Sequence, residues 1–167
     1  AFLISGGSNP AAPVHLALSL LAVVTCLTAY LLYVIARRYA GKAASLAAAL
    51  VWAFSPVVTR QGTNGLETAL ATFSVALVFF YYVSFVRSAD RVPARRFLML
   101  GLLLGVAVLA RSDSLLLVLA VLLDYLLLLR RRGAPAHRLA ALGLLPVGGL
   151  LLYGPWCLFC GFESGSA

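Results

Sequence analysis

Long apolar stretches separated by short arginine clusters constrain this chain more than any other feature. Six of them, residues 14–36, 43–58, 68–86, 97–110, 115–129 and 139–159, contain a single formal charge, Asp124. A soluble fold of 167 residues keeps a large share of its surface in water. Here 63% of residues are hydrophobic and 11% charged, against roughly 45–50% and about 25% in soluble domains. Most of that surface must therefore face lipid. A closed barrel needs strands that alternate apolar and polar residues, whereas residues 115–123 are apolar on every face. Helices remain as the way to satisfy every backbone group in hydrocarbon. The expectation is an all-α, polytopic transmembrane bundle of about six membrane helices, forming one transmembrane domain over residues 1–167.

A crossing takes about 20 residues, so the first, third and sixth stretches are comfortable spans and the second is a little short. The fourth and fifth hold 14 and 15 residues, about 21–23 Å of helix against a hydrocarbon core of about 30 Å. They predict a hairpin whose tip stops below the surface. The chain starts at Ala1 with no basic n-region ahead of an apolar stretch, so the expectation is a piece of a longer protein and not a signal peptide.

The charge distribution writes the topology. Arg37, Arg38 and Lys42 follow the first span, Arg87, Arg91, Arg95 and Arg96 the third, and Arg130, Arg131, Arg132 and Arg138 the fifth. With six alternating spans these lie on one side, which the positive-inside rule makes cytoplasmic, and both ends of the chain lie outside. A net charge of +8 arranged in this way reads as membrane topology and excludes a nucleic-acid partner as the leading idea. Trp52, Tyr153 and Trp156 fall at interfacial depths, although Trp52 equally suits a packed core. Pro146 and Pro155 are expected to kink the last helix. Cys157 and Cys160 form a C-x-x-C spacing without a second ligand pair, so no metal site is assigned.

Two polar segments can carry chemistry. The first is the outer loop Arg60-Gln61-Gly62-Thr63-Asn64-Gly65-Leu66-Glu67-Thr68. Glu67 opens a helix there, where the macrodipole favours a carboxylate; alternatively Glu67 and Arg60 line a site on the outer face. The second is the hairpin tip Arg111-Ser112-Asp113-Ser114. Its charged residues can neutralise each other, or Ser112 can cap the next helix. Charges at that depth are functional candidates, and a guanidinium at headgroup level suits a phosphate, which it grips with two parallel hydrogen bonds. Asp124 sits in the inner half of its helix near Arg130 to Arg132, where it faces the bundle or pairs with a snorkelling arginine. His15 and His137 read as interfacial residues, which leaves a proton relay without partners. Walker, dinucleotide, G-x-S-x-G and H-E-x-x-H motifs are absent.

The order of motifs then carries a resemblance. A span closed by Ala36-Arg37-Arg38-Tyr39-Ala40-Gly41 leads through an Ala-rich helix and Ser55-Pro56 to Gly65-Leu66-Glu67-Thr68. A Leu/Gly-rich helix follows, ending in Leu109-Ala110-Arg111-Ser112-Asp113, and then a last span with Gly154-Pro155-Trp156. The series resembles the GT-C integral membrane glycosyltransferases, the group of protein mannosyltransferases and aminoarabinose transferases that use polyprenyl-phosphate sugars. Many relatives carry Arg-Pro-Asp-Gly where this chain has Arg111-Ser112-Asp113-Ser114. The resemblance implies a multi-pass protein of the bacterial cytoplasmic membrane, with an extracytoplasmic active site. Its partners would be a lipid-linked sugar donor and membrane lipid. It implies that Arg60 and Arg111 hold the carrier phosphate, and that Glu67 and Asp113 orient them or bind sugar hydroxyls or a divalent cation. The family's catalytic base lies in the first large outer loop, and the expectation is that it falls upstream of Ala1. The rival reading is a transporter segment or lipid-binding subunit, in which the polar groups would gather at the midplane.

Overall fold

The computed structural model describes residues 12–63, 66–89, 92–132 and 143–164, and it is helical, with no strand among the described residues. The chain packs as two compact units, Ala1–Ala76 and Leu77–Ala167, and each is taken by itself.

The first unit holds α1 (Ala12–Ala36), α2 (Lys42–Ala53), α3 (Pro56–Thr63) and the start of α4 (Leu66–Tyr81). After α1, the N–H groups of Arg38 and Tyr39 bond three residues back to Ile35 and Ala36, tightening the last turn before Gly41 starts α2. α1 and α2 pack as a hairpin, and the buried positions along it are small: Thr28, Ser45 and Ala49. Both hydroxyls donate to a carbonyl of their own helix, Thr28 to Val24 at 2.8 Å and Ser45 to Gly41 at 2.9 Å. Small residues let the backbones approach while their polar atoms stay satisfied in hydrocarbon.

The expected second span, 43–58, is not one helix. α2 ends at Ala53 after 12 residues, about 18 Å of length. Pro56 lacks an N–H and pushes Ser55 out of the helical region, so it ends one helix and takes the first position of the next.

In the second unit α4 runs into a π-helical turn, Tyr82–Arg87. There follow α5 (Ala94–Ala110), a 3₁₀ turn Ser112–Ser114, α6 (Leu115–Arg132) and α7 (Leu144–Ser164). The core gathers Val78, Tyr82, Val86, Phe97, Leu100 and Tyr125 among others, with the Phe97 and Tyr125 rings edge to face at 5.2 Å.

α5 and α7 make this unit's closest helix pair, and glycine is the reason. A methyl group on Gly101 would stand 2.5 Å from the Leu145 carbonyl oxygen, and one on Gly148 would stand 2.8 Å from that of Leu98. A methyl group on Gly105 would stand 3.2 Å from the Gly149 Cα, again a tight approach of backbone. Gly101 and Gly105 are a G-x-x-x-G pair, spaced to put both on one helix face.

The expected short fifth span is longer than its apolar stretch. Ser112–Arg130 forms a 19-residue candidate span because the 3₁₀ turn Ser112–Ser114 leads straight into α6, which itself continues through the arginines to Arg132. Pro146 falls in the first turn of α7, where its missing N–H has no partner to lose, and the helix continues through Pro155. Three helices among the described residues are long and apolar enough to cross a membrane: Val14–Ala36, Glu67–Arg87 and Ser112–Arg130. Along α6, Leu115, Leu116, Leu119, Leu123, Leu126 and Leu127 are exposed, the stripe expected of a lipid-facing helix.

Candidate functional site

In the first unit, Arg60 sits exposed in the last turn of α3 and Glu67 exposed in the first turn of α4. The macrodipole reading of Glu67 is satisfied geometrically. Asn64 and Gly65 between these helices lie outside the described residues. The depth of this loop is set by its neighbours. Thr68 and Thr72 of α4 line a small cavity with Thr25 and Thr28 of α1, Trp52 of α2 and Val58 of α3. The start of α4 therefore lies beside the middle of α1, which continues from Thr25 back to Ala12, about 20 Å further on. Trp52 belongs to the packing here, its indole N–H buried without a hydrogen-bond partner among the described residues.

A larger open groove of about 600 Å³ adjoins this cavity, lined by Leu32, Ile35, Ala36, Ala48, Val51, Trp52, Ser55, Val57 and Val58. It is overwhelmingly apolar, and it runs toward the C-terminal end of α1. Val57 and Arg60 are three residues apart on α3, so Arg60 follows a groove-lining residue by one helical turn.

In the second unit the hairpin tip is tight. Arg111 adopts an extended backbone as α5 ends, its N–H bonded to Ala107, and its carbonyl accepts from the Ser114 N–H at 3.0 Å. Ser112 lies within the resulting 3₁₀ turn and no side chain caps it. The turn brings Arg111 Nε to 2.9 Å from Asp113 Oδ2, with both side chains more than half exposed. Such a pair adds about 0.2–1 kcal/mol to stability; its main effect is to fix the direction of the guanidinium.

A third polar cluster joins elements that the sequence reading kept apart. Tyr82 donates its hydroxyl hydrogen to Asp124 Oδ2 at 2.7 Å, and Arg87 Nε approaches the same oxygen at 3.3 Å. The π-helical turn carries both Tyr82 and Arg87. Asp124 was expected near Arg130 to Arg132; its arginine comes from α4. The Ser88 hydroxyl and the Arg96 guanidinium stabilise the turn by donating to the Val83 and Phe85 carbonyls. Only the intramembrane carboxylate itself marked this cluster in the sequence. Likewise, the G-x-x-x-G spacing was the overlooked mark of the α5–α7 seam.

No group of three or more His, Cys, Asp or Glu side chains stands together as a metal site among the described residues. The Cys157, Cys160 and Glu163 side chains lie outside them, as do Asp90, Arg91, His137 and Arg138.

One family model matches the sequence: dolichyl-phosphate-mannose-protein mannosyltransferase, over residues 11–158. The chain belongs to this family. No curated protein and no solved structure matches it. Membership of the mannosyltransferase family agrees with the GT-C resemblance, and the match takes in both polar loops and all three candidate membrane spans.

Proposed function

We propose that this chain is part of an integral membrane glycosyltransferase that moves a sugar from a polyprenyl-phosphate donor to an acceptor hydroxyl at the extracytoplasmic face. The family match carries this reading, and the geometry of the two polar loops supports it. The donor's apolar chain would lie in the groove between α1, α2 and α3, within the size range of lipid and ligand clefts. Its phosphate would meet Arg60, one helical turn beyond the groove-lining Val57 on α3. In the second unit, taken by itself, Arg111 is the phosphate-binding candidate, aimed by Asp113. Glu67 orients Arg60 or binds sugar hydroxyls or a divalent cation.

The reaction is a displacement at the anomeric carbon. A carboxylate takes the acceptor's hydroxyl proton, and the freed oxygen bonds to the sugar. As that bond forms, the carbon–oxygen bond to phosphate breaks, with its electron pair retained by the departing polyprenyl phosphate. The arginines stabilise the negative charge that grows on that phosphate. The carboxylate base is assigned to none of the residues described above.

The full-length protein, reconstituted in lipid with radiolabelled polyprenyl-phosphate sugars, provides the test. Arg111→Ala and Glu67→Ala should each lower kcat/KM by about 10²–10³, the usual effect of removing a group that stabilises developing charge. Transfer at the unaltered rate in both variants would reduce these residues to structural polar groups. Absence of transfer with every donor would favour a transporter or lipid-binding subunit.

A further inference from the structure

The Tyr82–Asp124–Arg87 cluster lines an open groove of about 280 Å³, whose remaining walls are Phe79, Val83, Leu117, Ala120 and Val121. Both of the cluster's bonds fall on one carboxylate oxygen, Asp124 Oδ2. The other oxygen remains able to accept, and the side chain is 41% exposed. Arg87 engages through Nε and is 47% exposed, so the rest of its donor fork faces outward. The mouth of the groove thus presents a cation and an anion side by side. Below them only carbon faces the groove, over the turn or two separating Asp124 from Leu117 and Arg87 from Phe79, about 10–12 Å along the helices.

We propose that this groove holds a phospholipid of the surrounding bilayer whose headgroup carries a primary ammonium. The phosphate sits on Arg87, the ammonium donates to Asp124, and the first part of an acyl chain lies between α4 and α6. Charge complementarity selects this occupant. An anionic headgroup would satisfy Arg87 while crowding the Asp124 carboxylate, and a quaternary ammonium has no N–H to donate. A lone phosphate would leave the apolar wall uncovered. The π-helical turn matters because it sets Arg87 beside Asp124 at the groove's mouth. Glu67 and Arg87 stand at opposite ends of one 21-residue span, so the site lies at the membrane face opposite the proposed sugar transfer. The lipid is structural, distinct from the donor.

Native mass spectrometry of the full chain in detergent, titrated separately with phosphatidylethanolamine, phosphatidylcholine and phosphatidylglycerol of matched acyl chains, reads the outcome directly and needs no activity. The expected result is one retained phosphatidylethanolamine, favoured about tenfold over the other two, as one or two charge-assisted hydrogen bonds would give. Asp124→Asn should abolish the preference over phosphatidylcholine, and Arg87→Gln should weaken retention of all three. Ala120→Phe tests the groove while leaving the ion pair in place, and its ring should displace the acyl chain and cut retention to a similar degree. Equal retention of the three lipids by the unaltered chain, or a preference that survives all three substitutions, would overturn the assignment.

Discussion

A carboxylate six residues before a run of three arginines invites pairing along its own helix, and Asp124 instead reaches across to Arg87 and Tyr82. The sequence places Asp124 at the correct depth, but a π-helical turn at Tyr82–Arg87 rotates its partners into place, and no composition rule signals that. Tyr82 is almost fully buried. Tyr82→Phe removes one hydrogen bond to a charged group and should lower stability by about 1 kcal/mol, read as a lower midpoint of thermal unfolding in detergent. A midpoint equal to that of the unaltered protein would mean that the hydroxyl contributes nothing in this environment. The hairpin tip was easier to read. Arg111 and Asp113 are close in sequence, so a turn of any tight kind brings their side chains together, and the mutual pairing considered from the sequence is what forms. Its consequence for activity separates charge from shape. Arg111→Lys keeps the charge but loses the planar fork. It should retain more transfer than Arg111→Ala while falling about tenfold below the unaltered enzyme, measured as kcat/KM in the reconstituted assay.

Among elements, helices with unbroken apolar periods were legible, and those shaped by single residues were not. The spans around 14–36 and 68–86 emerge close to their expected bounds. The stretch 43–58 divides because Pro56 both ends one helix and opens another, which outweighs the apolar character on either side of it. The fifth helix gains length from arginines that the apolar criterion had excluded. The α5–α7 pair gives the sharpest test at this scale. Gly101→Ala and Gly148→Ala each drive a methyl group into backbone, whereas the nearest atom to a methyl on Gly149 is the Gly101 oxygen at 3.9 Å. The first two should each cost about 1–3 kcal/mol through forced separation of the helices, and Gly149→Ala should leave the unfolding midpoint near its original value. Similar midpoints for all three would show that the helices do not meet along this seam.

For the whole molecule, the helical class and the membrane setting followed from the scarcity of charge, because apolar area on that scale has no other solvent. The positions of the crossings are a separate matter, since the 12-residue α2 and the eight-residue α3 depart from a simple series of full spans. Single cysteines in a cysteine-free full-length background, labelled from either side of sealed vesicles, locate them. Positions 38, 88 and 130, which lie in or beside the arginine clusters, should react from one side, and position 112 from the other; labelling of all four from one side would contradict the proposed topology. The π-helical turn adds a consequence of a different kind. A single π turn amounts to one residue more than an α-helix needs, and each residue advances a helix by about 100°. The chain after Tyr82 is therefore phased by a count, not by a chemical group. Deleting Ser84 would remove that extra residue and let the stretch close as an α-helix in which Tyr82 and the arginine stand four residues apart on one face, so the cluster should survive here a one-residue deletion that in a regular α-helix would swing Arg87 about a quarter-turn away from Asp124.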